Sequence, residues 1–457
     1  MLDYLKLAKE KEKDLVQDVS SWVKINSIYD ESSVSKTKPF GEGVNNALNF
    51  IYNLAVKDGF DAKIIDGYVT EITYGNGEEL VLVLGHADVV PIDSGWEKDP
   101  FGGEIDDSRI YGRGTSDDKG PTLASYYALK IIKELNIPLK RRIRIVVGGN
   151  EENGSACLDY YFNEYKGEHP AYGFTPDADF PLIYGEKGIL TYKYEGEIFD
   201  ELIESIDGGV VFNSVPESAT VTFKKDVHLE EAFKKYLEKH HLKGEYKVVN
   251  DKTVITLIGK AAHAATPYEG VNALTILMKF VNNNIKSPLV NHFGPKLCCY
   301  YGKNLGIDFN GNKMGELTMN VGKGHYDGNH YEFYLNIRYP IDINFDQLIK
   351  KLNDNKLHQG LILDDQKPLY VDKDSDFIKI LMEAYQTITH DYDAKPLTIG
   401  GGTYARHTKN TVAFGMDFPR ENNDHGLIHS RNEYVRIEDL VKGVAIYTKA
   451  LVDLANK

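Results

Sequence analysis

The sequence predicts an α/β protein with a mostly parallel sheet flanked by helices on both faces, interrupted by an inserted α+β domain with an antiparallel sheet. Three observations predict it. Residues 80–84, "LVLVL", form an unbroken apolar run that ends at Gly85. Such a run reads as a strand buried on both faces, the signature of a parallel sheet. Similar short runs at residues 142–147 and 172–175 alternate with helical stretches, as βαβ units do. After Lys187 the texture changes to alternating patterns such as "TVITLIGKAAHA" and "YEFYLNIRYP", which suit an antiparallel sheet with one face covered.

Each element follows from local pattern. Residues 3–25 carry apolar side chains at helical spacing, among them Leu5, Leu15, Val19, Trp22 and Val23, so an amphipathic helix is expected. A second helix is expected over 41–56 and a strand pair over 62–74, with "GNGEE" as the turn before the run at 80. Pro121 is placed to open a helix over 122–135, because its missing N–H costs nothing in a first turn. The strand at 142–147 ends in "GGNEENGS", a helix spans about 156–165, and the strand at 172–175 ends in "PDADFP". Further helices are expected at 229–239, 271–283, 376–388 and 437–454, with strands feeding glycine turns in "PLTIGGGTYAR" and "TVAFGM". The last stretch reads as a return to the first domain. The expected domains are therefore residues 1–186 with 373–457, and an insertion at 187–372.

Composition excludes several classes. The 457 residues carry a formal net charge of -15 with no basic cluster to reverse it. An anionic surface of this kind gives no footing for nucleic acid. The N-terminal stretch lacks the apolar core of a signal peptide, and no apolar run has the length to span a bilayer, so no membrane association is expected. Only 3 cysteines occur, and their spacing suggests no disulfide framework. The expected location is the reducing cytoplasm.

The chemistry-bearing residues recur at predicted strand ends. His86 and Asp88 follow the first buried strand and, two residues apart in extended chain, point to the same side. Asp117 and Asp118 are delivered by the turn "GRGTSDDKG", Glu151 and Glu152 follow the next strand, and Asp177 and Asp179 the one after. His429 lies in the C-terminal segment. In open α/β sheets the chemistry sits beyond the carboxyl ends of strands. Two imidazoles with several carboxylates suit zinc, manganese or cobalt. The Glu151–Glu152 pair could divide the tasks of ligand and proton acceptor between them. Each feature alone has a plain reading, since adjacent glutamates are usually a solvated turn and "GGGTYAR" could be a tight turn. The turn "GRGTSDDKG" lacks the G-x-x-x-x-G-K-[ST] spacing of a phosphate loop, which disfavours a nucleotide enzyme. The ordered series carries the argument.

That series is "GHADVVP", "GRGTSDDKGP", "NEENGS", "TPDADFP", "GKAAHAATP", "NIRYP", "GGGTYAR" and "HSRNEY". It resembles the motif series of the aminoacylase/carboxypeptidase G/carnosinase clan of dinuclear metallopeptidases, and most of all its PepV-type bacterial dipeptidases. The resemblance runs from about residue 10 to the C-terminus. It implies a catalytic domain and an inserted lid domain. It places two divalent metal ions, zinc being expected with manganese or cobalt as alternatives, on His86, Asp117 and Asp177 and on Asp117, Glu152 and His429. It implies Asp117 as the bridge in a cis peptide with Asp118, Asp88 as the residue orienting His86, and Glu151 as the general base acting on a water that bridges the ions. From the lid it implies substrate or oxyanion contacts by Asn213, His263 and Arg338, and a loop near the substrate carboxylate at Gly401 and Gly402. The implied activity is hydrolysis of dipeptides with a free C-terminal carboxylate by a monomer. An N-acyl amino acid deacylase with the same metals is the alternative. A binding protein on a decayed scaffold would need a missing ligand, and none is missing. Asn153 departs from the small hydroxyl residue common after the glutamate pair and leaves the following turn open.

Overall fold

The computed structural model describes residues 2–420 and 426–457. It divides into two compact units, Met1–Gly185 with Tyr370–Thr398 and Gly402–Lys457, and Glu186–Leu369 with Ile399–Gly401.

The first unit is built on a 9-stranded sheet. Leu80–His86 lies near its centre, buried along its whole length. It pairs in parallel with Arg142–Gly148 on one side and Tyr172–Thr175 on the other, and Thr411–Ala413 continues the parallel run. Val69–Tyr74 and Asp61–Ile65 close one margin in antiparallel fashion. Branched and leucine side chains at residues 80–84 fill both faces of the central strand, which is why no alternation is visible in its sequence. The register sets His86 opposite Gly148, so the strand ends that carry candidate residues finish level with one another.

Helices cover this sheet. Ile437–Asn456 and Lys119–Glu134 are buried over most of their length. Tyr4–Val23 turns Leu15, Val19 and Trp22 inward, and the Trp22 indole donates to the carbonyl of Ala47 in helix Glu42–Lys57 at 2.9 Å. Lys119–Glu134 begins earlier than the position of Pro121 suggested, with Asp118 as its N-cap. Proline is tolerated at the third helical position because the first four amides of a helix have no partner inside it. The expected helix at 156–165 is an α-turn, Ala156–Asp159, continued by a π-turn at Tyr160–Glu164.

The second unit is an 8-stranded sheet. Its strand order is Lys243–Val249, Lys252–Ile258, Ser218–Phe223, Ile203–Gly208, Thr318–Tyr326, His330–Tyr339, Gly188–Glu197 and Gln359–Gln366. Every neighbouring pair is antiparallel. Alternation is clean: in Lys252–Ile258, Thr253, Ile255 and Leu257 are buried and their neighbours are not. Helix Ala273–Asn284 lays Leu274 close against Gly208 and Gly324, where a larger residue would collide. Among the described residues no helix is long and apolar enough to cross a membrane.

Candidate metal centre

The carboxyl ends of the parallel strands bring the candidate residues of the first unit together. His86 ends its strand with no solvent exposure. Its Nε2 lies 2.9 Å from Asp117 Oδ1 and 3.6 Å from Asp177 Oδ2. His429 Nε2 lies 2.8 Å from the other oxygen of Asp117 and 3.2 Å from Glu152 Oε1. Asp117 thus stands between two imidazoles, with one oxygen for each. His86, Asp117 and Asp177 form one group able to hold a metal ion, and Asp117, Glu152 and His429 form another.

Local structure explains each placement. Asp117 sits in the turn before helix Lys119–Glu134, and its peptide to Asp118 is cis. Asp118 turns away from the group: its Oδ2 accepts from the His86 amide at 3.1 Å and the Thr122 hydroxyl at 2.8 Å. Asp177 follows strand Tyr172–Thr175, where Ala178–Asp179 pairs in parallel with Met416–Asp417. His429 has a φ of 58°, and Leu427 and Asn432 beside it are also left-handed. Such backbone is uncommon outside glycine and gathers at functional sites.

Asp88 divides its contacts. Its main-chain carbonyl meets His86 Nδ1 at 3.0 Å, with Oδ1 at 3.5 Å. Its carboxylate accepts the amides of Glu151 at 3.0 Å and Glu152 at 3.1 Å. One buried aspartate therefore fixes both the imidazole and the glutamate turn. That turn closes with the Gly154 amide on the Glu151 carbonyl, and Gly154 and Ser155 take positive φ. Asn153 is exposed. Asn150, which sequence reasoning passed over, holds the far side by accepting the Ala156 amide at 3.1 Å. Glu152 faces His429. Among the described residues the Glu151 carboxylate has no hydrogen bond, although its amide is tied down.

Electrostatics show a site with excess anion. Burial and nearby Asp177 push Glu151 well above the usual carboxylate range, and burial with Asp117 pushes Glu152 to about 7. Burial disfavours the charged form of Asp117, but hydrogen bonds from His429 and His86 outweigh it and hold that carboxyl below its ordinary value. Burial opposes protonation of His429, yet Asp117 and Glu152 raise it to about 11. Carboxylates crowded in low dielectric call for added positive charge.

The candidate substrate residues of the second unit form their own cluster. Ser214, next to Asn213, bridges to His263, and the Ala264 amide donates to the Asn213 carbonyl at 2.9 Å. Thr318 donates to the Ala265 carbonyl at 3.2 Å and lies opposite Arg338 in the sheet. Arg338 is buried, its Nε donating to Asn336 at 2.7 Å and its Nη1 to the Gly400 carbonyl at 2.8 Å. Gly401 follows in the same unit, and Gly402 lies under the Arg406 guanidinium.

The chain belongs to peptidase family M20/M25/M40, whose profile matches residues 82–453. It is 36% identical over 460 residues to "Putative dipeptidase YtjP" of Bacillus subtilis (strain 168), covering 98% of each chain. It is 37% identical over 464 residues to a "Putative dipeptidase" of Staphylococcus epidermidis, covering 97% of this chain and 98% of that one. Among solved structures, a tripeptidase from Staphylococcus aureus superposes with a TM-score of 0.58 at 17% identity, over 97% of this chain and 98% of the other. That likeness shows the fold. Peptidases of this family are dinuclear metal enzymes. The residues present fit two ions: the donors are imidazole and carboxylate, and Asp117 offers a separate oxygen to each histidine.

Proposed function

We propose that the protein is a metal-dependent dipeptidase that hydrolyses dipeptides bearing a free C-terminal carboxylate. The observation that carries the proposal is Asp117 held between His86 and His429, with Asp177 and Glu152 completing the two groups. His86, Asp117 and Asp177 would hold one ion and Asp117, Glu152 and His429 the other, with zinc expected. When bound, the ions supply Lewis acidity at the scissile carbonyl and lower the pKa of the attacking water, which would lie between them. Glu151 takes the proton from that water and passes it to the leaving amine. In the metal-free protein its burial and nearby Asp177 favour the protonated form; two bound cations would favour the carboxylate that a proton acceptor needs. Asp88 keeps Glu151 and Glu152 aimed through their amides. His263 donates to the developing oxyanion and Asn213 contacts the substrate. Arg338 and the backbone at Gly401 and Gly402 take the C-terminal carboxylate, to which a planar guanidinium is matched.

A hydrolysis panel of dipeptides, tripeptides, C-amidated dipeptides and N-acetyl amino acids tests this reading. Dipeptides are expected to be cleaved best. Amidation and Arg338→Ala should each lower kcat/KM roughly 10- to 100-fold, the worth of a charge-assisted hydrogen bond at about 1.5–3 kcal/mol. The two together should lose little more than either alone. Equal rates on free and amidated dipeptides would remove the carboxylate grip. Preference for N-acetyl amino acids would make the protein a deacylase.

Metal binding is also expected to release protons. In the metal-free protein His429 is raised from 6.5 to about 11 and His86 is raised as well, each against the effect of burial. A raised histidine contributes stability that is full below the unfolded value and is lost as pH rises through the folded one. Between about 6.5 and 11 the metal-free His429 therefore keeps a proton that a free imidazole has lost. A metal needs the neutral ring, so affinity should rise with pH across this window. Calorimetric enthalpies of metal binding near pH 8 should vary with the ionisation heat of the buffer. Identical enthalpies in phosphate and Tris would count against this picture.

A further inference from the structure

We infer that Glu433, paired with Arg113, is a positioning residue that sets the bridging carboxylate of Asp117 and couples it to the segment bearing His429. Both side chains are buried, Glu433 completely. Glu433 Oε2 accepts from Arg113 Nη1 at 2.6 Å. Its Oε1 accepts three main-chain amides from the turn that ends in Asp117: Gly114 at 3.0 Å, Ser116 at 3.0 Å and Asp117 itself at 3.3 Å. The Glu433 carbonyl accepts a fourth, from Gly112, at 2.9 Å.

The turn that aims the amides of Gly114, Ser116 and Asp117 at one oxygen leaves the usual backbone regions. Gly112 and Gly114 do so, with φ of 144° and 88°, and a Cβ at Gly114 would meet Val89 at 2.7 Å. These amides make a concave donor surface that favours an anion, and Glu433 supplies the anion from within the chain. Arg113 offsets part of its charge, while burial and the neighbouring Asp117 carboxylate raise Glu433 to about 7.

The clamp also joins two parts of the centre. Glu433 lies four residues beyond His429 and directly before strand Tyr434–Arg436, which pairs with Arg109–Tyr111. The Ser116 hydroxyl donates to the Tyr434 carbonyl at 2.7 Å, and the Tyr434 amide to the Gly426 carbonyl at 2.9 Å. The turn carrying Asp117 and the loop carrying His429 are thus registered against each other through Glu433 and Tyr434. Since Asp117 belongs to both metal groups, a shift of its turn disturbs both. A carboxylate in contact with the reacting atoms would be a different role, and Glu433 is not placed for it.

This inference rests on the proposed metal assignment. The test is a titration of metal-free protein with Co²⁺, followed by visible absorption and elemental analysis, in wild type and in Glu433→Gln. Wild type is expected to bind two ions. Glu433→Gln, which loses the charge held against the three turn amides and Arg113, should weaken binding of both ions by roughly 10- to 100-fold, as loss of an outer-sphere partner does. Its Co²⁺ spectrum should change, and kcat should fall with KM little altered. If Glu433→Gln does not fold, Glu433→Asp keeps the charge beside Arg113 but withdraws it from the amides, and the same loss of affinity is expected. A melting temperature that drops while Co²⁺ affinity and spectrum stay at wild-type values, in whichever variant folds, overturns the inference and leaves the metal assignment standing. Wild type that binds no Co²⁺ overturns the assignment itself.

Discussion

Stripping divalent ions from the protein is expected to reduce peptidase activity to background, and restoring zinc, manganese or cobalt in turn is expected to recover it to differing degrees. The residues themselves give the reason. Without added cations, Asp117 is engaged by His86 and His429 at 2.9 and 2.8 Å, and the histidines act as its counter-charges. Neither imidazole is then available as a base, and burial beside Asp177 favours the protonated form of Glu151. His86→Ala and His429→Ala should both abolish turnover but differ in stability. His86 is fully buried against Asp117 and Asp177, and removing one partner of a buried ion pair costs about 3–5 kcal/mol. His429 is half exposed but lies 2.8 Å from buried Asp117, and its raised pKa stabilises the metal-free fold at neutral pH, so its loss should also lower stability, by less than the loss of His86. Full turnover by chelator-treated protein shown to be metal-free by elemental analysis would sink the metal reading.

The parallel core was legible because burial on both faces writes itself into sequence as a continuous apolar run, and residues 80–84 are such a run. The acidic and histidine residues just past such runs could be named because strand ends are where this architecture exposes side chains to a ligand. Alternation in "TVITLIGKAAHA" and "YEFYLNIRYP" likewise announced an antiparallel sheet. Its strand order was not legible. Gly188–Glu197 pairs with both His330–Tyr339 and Gln359–Gln366, a choice made by distant packing. The helix start at Lys119 was misplaced because Pro121 looks like a first-turn signal, and a first turn accepts proline at more than one position. The π-turn at Tyr160–Glu164 leaves no periodic trace in so short a helix. Glu433 escaped notice for another reason. Its partners are backbone amides, which have no identity in a sequence, and Arg113 lies far off along the chain. Asp88 shows the same limit: its position named it, but the amides of Glu151 and Glu152 that occupy its carboxylate appear only in three dimensions.

Glu151→Gln is expected to retain both metal ions and lose turnover by roughly 10²- to 10⁴-fold, the usual contribution of a positioned general base. Glutamine matches glutamate in shape, and the Glu151 amide would keep its bond to Asp88 at 3.0 Å. The turn should therefore stay in place. Glu151 belongs to neither metal group, whereas Glu152 Oε1 faces His429 at 3.2 Å. The substitution removes a proton acceptor and leaves the ligands intact, so kcat should fall while KM for a dipeptide changes little. Glu152→Gln provides the contrast. It replaces a charged oxygen beside His429 and Asp117, so its first effect should be weaker metal binding, with activity partly recovered by excess metal. Excess metal should do nothing for Glu151→Gln. Measuring metal content and turnover on both variants decides the matter. If Glu151→Gln loses metal while Glu152→Gln keeps it, the two glutamates have exchanged roles, and the proton acceptor is the residue next to His429.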